Sequence, residues 1–392
     1  MKRVFFFLCL FAMVSCKSLN INTDGVSLDI IGTPEIIDVS SAFTQKVMID
    51  DIVHDVHIIK LETNEESVLA HILQVEVTDK YLYVRDMYKG GSVAIFDKDG
   101  NFVKRLPKGS GPQEIDMANA MYFEPKSLCL YVHDDTSEKV VKYTQDGDYI
   151  SSYYIDDIII GDVALDNGKM LLYQGNLQNR TGLFTLTEID TTSKSRKNFY
   201  LGNGHFDYIG SKHFLQCDDG YLIVVPWGNT IFRYKNGKVY KKYVITNINA
   251  DGVDYSLYEY DFEMRNTISS NAWLFYGMNQ ETKNFQILEF CGKKPTDLKK
   301  LFRNKWSKEW YEIAFSTSLY GYINVGNVYD YNNDRVVGVL FPEYLLNEKD
   351  PQYSYDFSNP HDLISPEDME KLKSVKPDDN PLVITYRLKF DK

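Results

Sequence analysis

The sequence predicts an all-β chain folded as one six-bladed β-propeller, with short helices in its connectors and the ring closed by pairing of N- and C-terminal strands. Three observations predict it. The composition is rich in aromatic residues, a strand-and-turn unit recurs about every 46 residues, and apolar strands are left over at both ends of the chain.

Hydrophobic residues make up 44% and charged residues 25% of the 392 positions, enough apolar surface to offset the entropy of ordering the backbone. The 29 Tyr and 22 Phe favour half-buried pleated surfaces over helix interiors. A formal charge of -12 repels phosphate polymers, and no Lys/Arg run is dense enough to override it, so nucleic acid is not an expected partner.

The first sixteen residues read as an export leader. Lys2 and Arg3 are followed by an apolar stretch from Val4 to Val14, too short to span a bilayer permanently, and then by Ser15 and Cys16. Met13–Cys16 resembles the lipobox of bacterial lipoproteins, which implies that Cys16 is acylated and anchors the protein to a membrane. Residues 17–34 lack strand or helix periodicity and read as a tether, leaving 35–392 as the propeller. The location expected is the cell envelope, at the outer membrane, facing either the periplasm or the cell surface. Cys129, Cys217 and Cys291 show no CxxC spacing, so neither a zinc site nor a disulfide framework is indicated, and Cys129 reads as a buried small hydrophobe.

Five strands followed by turn residues carry the repeat: Val93–Phe96, Val140–Tyr143, Leu186–Ile189, Ile231–Tyr234 and Ile287–Phe290. Their last residues lie 47, 46, 45 and 56 positions apart, a spacing typical of blades that bury their faces only by stacking. Preceding strands begin at Tyr81, Leu128, Met170, Tyr221, Trp273 and Val336, which makes six units. The sixth has its third strand, Leu382–Leu388, delayed by a loop and a helix. That helix shows a start signal in Ser365, Pro366 and Asp368. Val56–Leu61 has no blade of its own and is assigned to complete the last one, which removes exposed edges.

Lys108–Glu114, Leu61–Asn64 and Asp378–Pro381 resemble segments of the six-bladed β-propeller lipoproteins of diderm bacteria, relatives in shape of the NHL-repeat propellers. The resemblance implies fold and export, and no established chemistry. Lys108–Glu114 itself reads as a fixed crossover between blades, with an anion nest as the alternative.

In such a blade the two-to-three loops and the blade-to-blade connectors share one face, and the tight hairpins share the other. Pro107–Ala118, Leu201–Lys212, Thr246–Ile268 and Gly292–Asn324 are read as long connectors, so their face is expected to bind a protein or glycan. Candidates on it are Arg85, Asp86, His133, Asp134, Asn176, Trp227, Asn229 and Asn279. His205 and His213 read as surface residues. The Asp97–Gly100 turn reads as a hairpin rather than a calcium loop, because Leu106 stands near the position that should be acidic. No nucleophile elbow, zinc helix or phosphate loop is present in the sequence, and no catalytic residue, metal or cofactor is assigned.

The favoured expectation is a monomeric, non-enzymatic, lipid-anchored binding or interaction module. The alternatives are a funnel-site enzyme, lactonase-like or a polysaccharide lyase, and a carbohydrate-binding envelope protein.

Overall fold

The computed structural model describes residues 30–40, 42, 44–87, 91–155, 160–174, 186–201, 212–225, 229–246, 273–292, 298–314, 327–346 and 363–390. The leader, Cys16, most of the tether, Asn176, His205 and Trp227 lie outside them.

Six antiparallel sheets form the ring. Blade I is Ile72–Val77, Tyr81–Asp86, Ser92–Asp97 and Phe102–Arg105. Blade II is Ala118–Glu124, Cys129–Asp134, Lys139–Thr144 and Tyr149–Tyr154. Blade III is Asp162–Asp166, Lys169–Tyr173, Leu186–Asp190 and Arg196–Phe199, and blade IV is Phe214–Cys217, Gly220–Val224, Thr230–Lys235 and Lys238–Thr246. Blade V is Leu274–Glu281, Phe285–Cys291, Leu298–Asn304 and Trp310–Ala314. Blade VI takes Asn327–Asp330, Arg335–Leu340 and Leu382–Leu388 from the C-terminal part and its outer strand, Val53–Lys60, from the N-terminal part.

The closing strand is where the sequence puts it, with Leu382 opposite Lys60 and Leu388 opposite Val53. The helix Pro366–Lys373 also begins as expected, the Ser365 side chain accepting the Asp368 N–H. Blade V corrects the sequence reading by one strand. Trp273–Tyr276 begins its first strand and Ile287–Phe290 lies in its second, so Gly292–Asn324 is not one long connector but contains the two outer strands. The 56-residue interval compared unlike strands.

Alternation explains why second strands are buried at nearly every position. In blade I, Tyr81 and Tyr83 pack against blade II, whereas Leu82 and Val84 pack against blade VI. In blade II, Leu130 and Val132 face blade I and Tyr131 faces blade III. Each strand is apolar on both faces because each face has a neighbouring blade, and the core is a ring of interblade interfaces.

The N-terminal arm adds strands that the sequence does not announce. Ile30–Ile31 and Glu35–Asp38 run parallel to the outer strand of blade IV, and Lys46–Met48 runs parallel to that of blade V. They cover edges that would otherwise present unpaired backbone groups. Ile30 thus belongs to the sheet of blade IV, inside the stretch read as tether.

Lys108–Glu114 is a crossover whose own carboxylate fills its glycine turn. Glu114 accepts the Gly111 N–H at 2.9 Å, Lys139 donates to Gly111 O at 2.6 Å, and Tyr143 donates to Gln113 O at 2.8 Å. Gly109 has φ +148°, and a Cβ there would meet Glu114 at 2.1 Å. Leu61–Asn64 and Asp378–Pro381, distant in sequence, meet at Asn380. Its side chain accepts from Leu69 N and donates to Glu62 O and Ser67 O.

Candidate functional site

Second strands run from the hairpin face to the connector face, which places Arg85, Asp86, His133 and Asp134 at the connector end. None is more than 1% exposed. Asp86 accepts the N–H groups of Ala70 and His71 at 3.0 and 2.8 Å, and Asp134 those of Asp116 and Met117 at 3.1 and 3.0 Å. Asp162 does the same for His213 and Phe214, at 2.6 and 3.0 Å. Each carboxylate satisfies two backbone donors just as the chain enters a first strand. Lys139, fully buried, stands 3.6 Å from Asp134.

Arg85 and His133 lie within this buried layer. Arg85 donates to Ala118 O at 3.4 Å, while its Nε and the His133 Nδ1 have no partner among the described residues. Burial lowers Arg85 to about 10, with the charge of Asp162 opposing the shift. Burial lowers His133 to about 4, Asp134 opposing and Arg85 reinforcing. The imidazole is therefore neutral at pH 7.

The remaining candidates are dispersed. Asn229 is exposed where the third strand of blade IV begins. Asn279 is a correction: it belongs to the first strand of blade V, toward the hairpin end, and not to a two-to-three loop. His213 is a second correction, because it is buried, stacked on Tyr173 with ring centroids 4.0 Å apart. Across the axis, Lys212 of blade IV donates to Glu76 of blade I at 2.7 Å, and Gln74 donates to the same oxygen at 2.8 Å.

The hairpin face differs. Between blades IV and V, with Tyr331 of blade VI at one side, lies a cavity of about 390 Å³. Among the described residues six cationic and three carboxylate side chains line it, an excess of three positive charges in a chain whose total is -12. Glu281 is its buried hub, accepting from Tyr243 at 3.1 Å, Lys305 at 2.9 Å and Gln286 at 2.6 Å. Arg303 is held by Gln286 at 3.0 Å and by Glu35 of the N-terminal arm at 2.8 Å, its Nε without a partner among the described residues. Arg233 and Lys235 both pair with Asp219.

Lys242, Lys283 and Lys308 also line the cavity and pair with no carboxylate among the described residues. At the rim Trp306 is 76% exposed, its indole N–H fixed by Asn284 Oδ1 at 2.8 Å. Burial raises the Cys217 thiol to about 11, Arg233 opposing, so that it stays protonated and unreactive at neutral pH. Burial, reinforced by Glu281, also raises the Tyr243 and Tyr331 hydroxyls, which remain donors. Sequence reading missed this cavity because its lining comes from blades IV, V and VI and from the arm. One local signal was available: Trp306 sits in a polar hairpin, Asn304–Lys308, where other blades carry Asp, Asn or Gly.

Among the described residues, no cluster of three or more His, Cys, Asp or Glu could hold a metal ion, and no helix is long and apolar enough to cross a membrane.

These features define a six-bladed β-propeller with a cationic cavity on its hairpin face. The chain belongs to the family described as a domain of unknown function, DUF4934, whose model matches residues 34–387. Its fold is similar to that of a Bacteroides fragilis protein described as exported, with TM-score 0.68 and 15% identity over 90% of this chain and 99% of that one. It is similar also to a DUF4221 family member from Bacteroides vulgatus, with TM-score 0.50 and 11% identity over 87% and 100%. No curated protein has significant sequence similarity to the chain.

Proposed function

We propose that this protein is an exported, lipid-anchored binding module of the cell envelope, and that it takes an anion-bearing ligand in the cavity between blades IV and V. The observation that carries the reading is the gathering of Lys242, Lys283 and Lys308, without carboxylate partners, around an open cavity on an acidic protein. A cavity lined by an excess of one sign of charge concentrates ligands of the other. Its volume falls within the range of small-ligand sites, about 300–1,000 Å³. A binding role is favoured over catalysis because the described axial groups are committed to each other, Glu76 to Lys212 and Gln74.

A thermal-melt screen of the mature chain tests this. Anionic ligands should raise the melting temperature in proportion to the logarithm of their concentration, and the double charge reversal Lys283→Glu, Lys308→Glu should abolish the rise. Ligand-induced stabilisation that survives the reversal would place the site elsewhere.

A further inference from the structure

We propose that the ligand of this cavity is a short carboxylated saccharide, a uronate-bearing mono- or disaccharide unit, with Trp306 as its stacking platform. The inference rests on the reading above that the cavity binds anions, and it names their class.

Three features select a carboxylated sugar. First, the indole of Trp306 is held at its N–H by Asn284 while most of its surface is open. A flat apolar ring fixed at a polar rim suits a ligand with one apolar face and a hydroxylated edge, as a pyranose has. Second, the unpaired cations are lysines. The guanidinium forks of Arg303 and Arg233, which would clamp a phosphate in bidentate fashion, are occupied by Glu35 and Asp219. Separate ammonium groups suit single carboxylates spaced along a ligand. Third, the neighbouring cavity, of about 330 Å³, shares Cys217 and Asp218 with this one and brings Glu124, Asp166 and Asp219 together with Lys126 and Lys235. With Asp219 paired to Lys235, the carboxylates of Glu124, Asp166 and Asp218 still outnumber the one remaining cation, Lys126, and disfavour continuation of an acidic polymer into that cavity, so the ligand is short or enters by its end.

Isothermal titration of the mature chain decides the matter. The probes are di- and trigalacturonate, the neutral sugar maltotriose, the peptide tetraglutamate and inorganic phosphate. The proteins are the wild type, Trp306→Ala and the Lys283→Glu, Lys308→Glu double variant, each checked for an unchanged melting temperature. The oligogalacturonates should bind, lose affinity about tenfold or more in Trp306→Ala, bind undetectably to the charge reversal, and weaken with added salt. Maltotriose should not bind. Tetraglutamate or phosphate binding that depends on the lysines, without oligogalacturonate binding, would overturn the saccharide class and leave the anion cavity standing. Oligogalacturonate binding indifferent to Trp306 and the lysines would overturn the location. No binding by any anion would overturn both readings.

Discussion

The connector end of blades I to III and the hairpin end of blades IV and V both concentrate charged side chains, yet they use them in opposite ways. At the connector end Asp86, Asp134 and Asp162 are buried and each is spent on two backbone N–H groups, with Lys139 enclosed beside Asp134. At the hairpin end Glu281, Arg303 and Arg233 are similarly engaged, but Lys283, Lys308 and the exposed Trp306 are left facing open space, with Lys242 half-buried over the Tyr243 ring. The same residue types thus fasten loops in one place and are offered to a ligand in the other. Burial and commitment to backbone donors, rather than polarity alone, separate the two roles.

Three perturbations sharpen that contrast, in descending size. Lys139→Met removes the cation enclosed with Asp134, and chemical denaturation should show a loss of about 3–5 kcal/mol with unchanged binding at the cavity. A loss as small as a surface substitution would show that the connector end is not held in this way. His133 should make stability depend on pH. Its folded-state value of about 4 lies below the value of about 6.5 in the unfolded chain, so the unfolded state takes up the proton first as pH falls. Stability should therefore be intact above about pH 6.5 and decline toward pH 4, by up to about 3 kcal/mol. Denaturation curves of His133→Gln should lack that decline, and parallel curves for the two proteins would refute the assignment. The Lys283→Glu, Lys308→Glu variant should change stability by no more than about 0.5 kcal/mol, since neither lysine holds structure together. A large loss would move these residues into the same class as Lys139.

The regular part of the fold could be read from the sequence because each blade repeats short-range information. Hairpins such as Asp97–Gly100, with Asp97 accepting from Asp99 and Asn101, fall at constant intervals, and the Ser365 cap is a local signal. Reading failed where the repeat was interrupted. In blade V, residues 247–272 intervene, and an apolar run such as Trp273–Tyr276 looks the same in a first or second strand. The arm strands at Ile30–Ile31 and Lys46–Met48 are too short to show a period of two. Arg85, Asp86, His133 and Asp134 were legible as a set at one end of their strands, but their burial was not, because it depends on which backbone donors other segments bring. The cavity was invisible for the same reason: Glu35, Arg233, Glu281 and Lys305 become neighbours only after the ring is built.

Placing Val53–Lys60 beside Leu382–Leu388 sets the order in which the molecule can mature. A chain made from its amino end gains the partner of residue 53 only after the other five blades, so the toroid cannot close before residue 388 has been added. Contacts this far apart in sequence form slowly, because a long loop must be ordered before they repay its entropy. Val53–Lys60 therefore waits for its partner while the blades between are made, and the strand Leu382–Leu388 acts as the clasp that closes the ring.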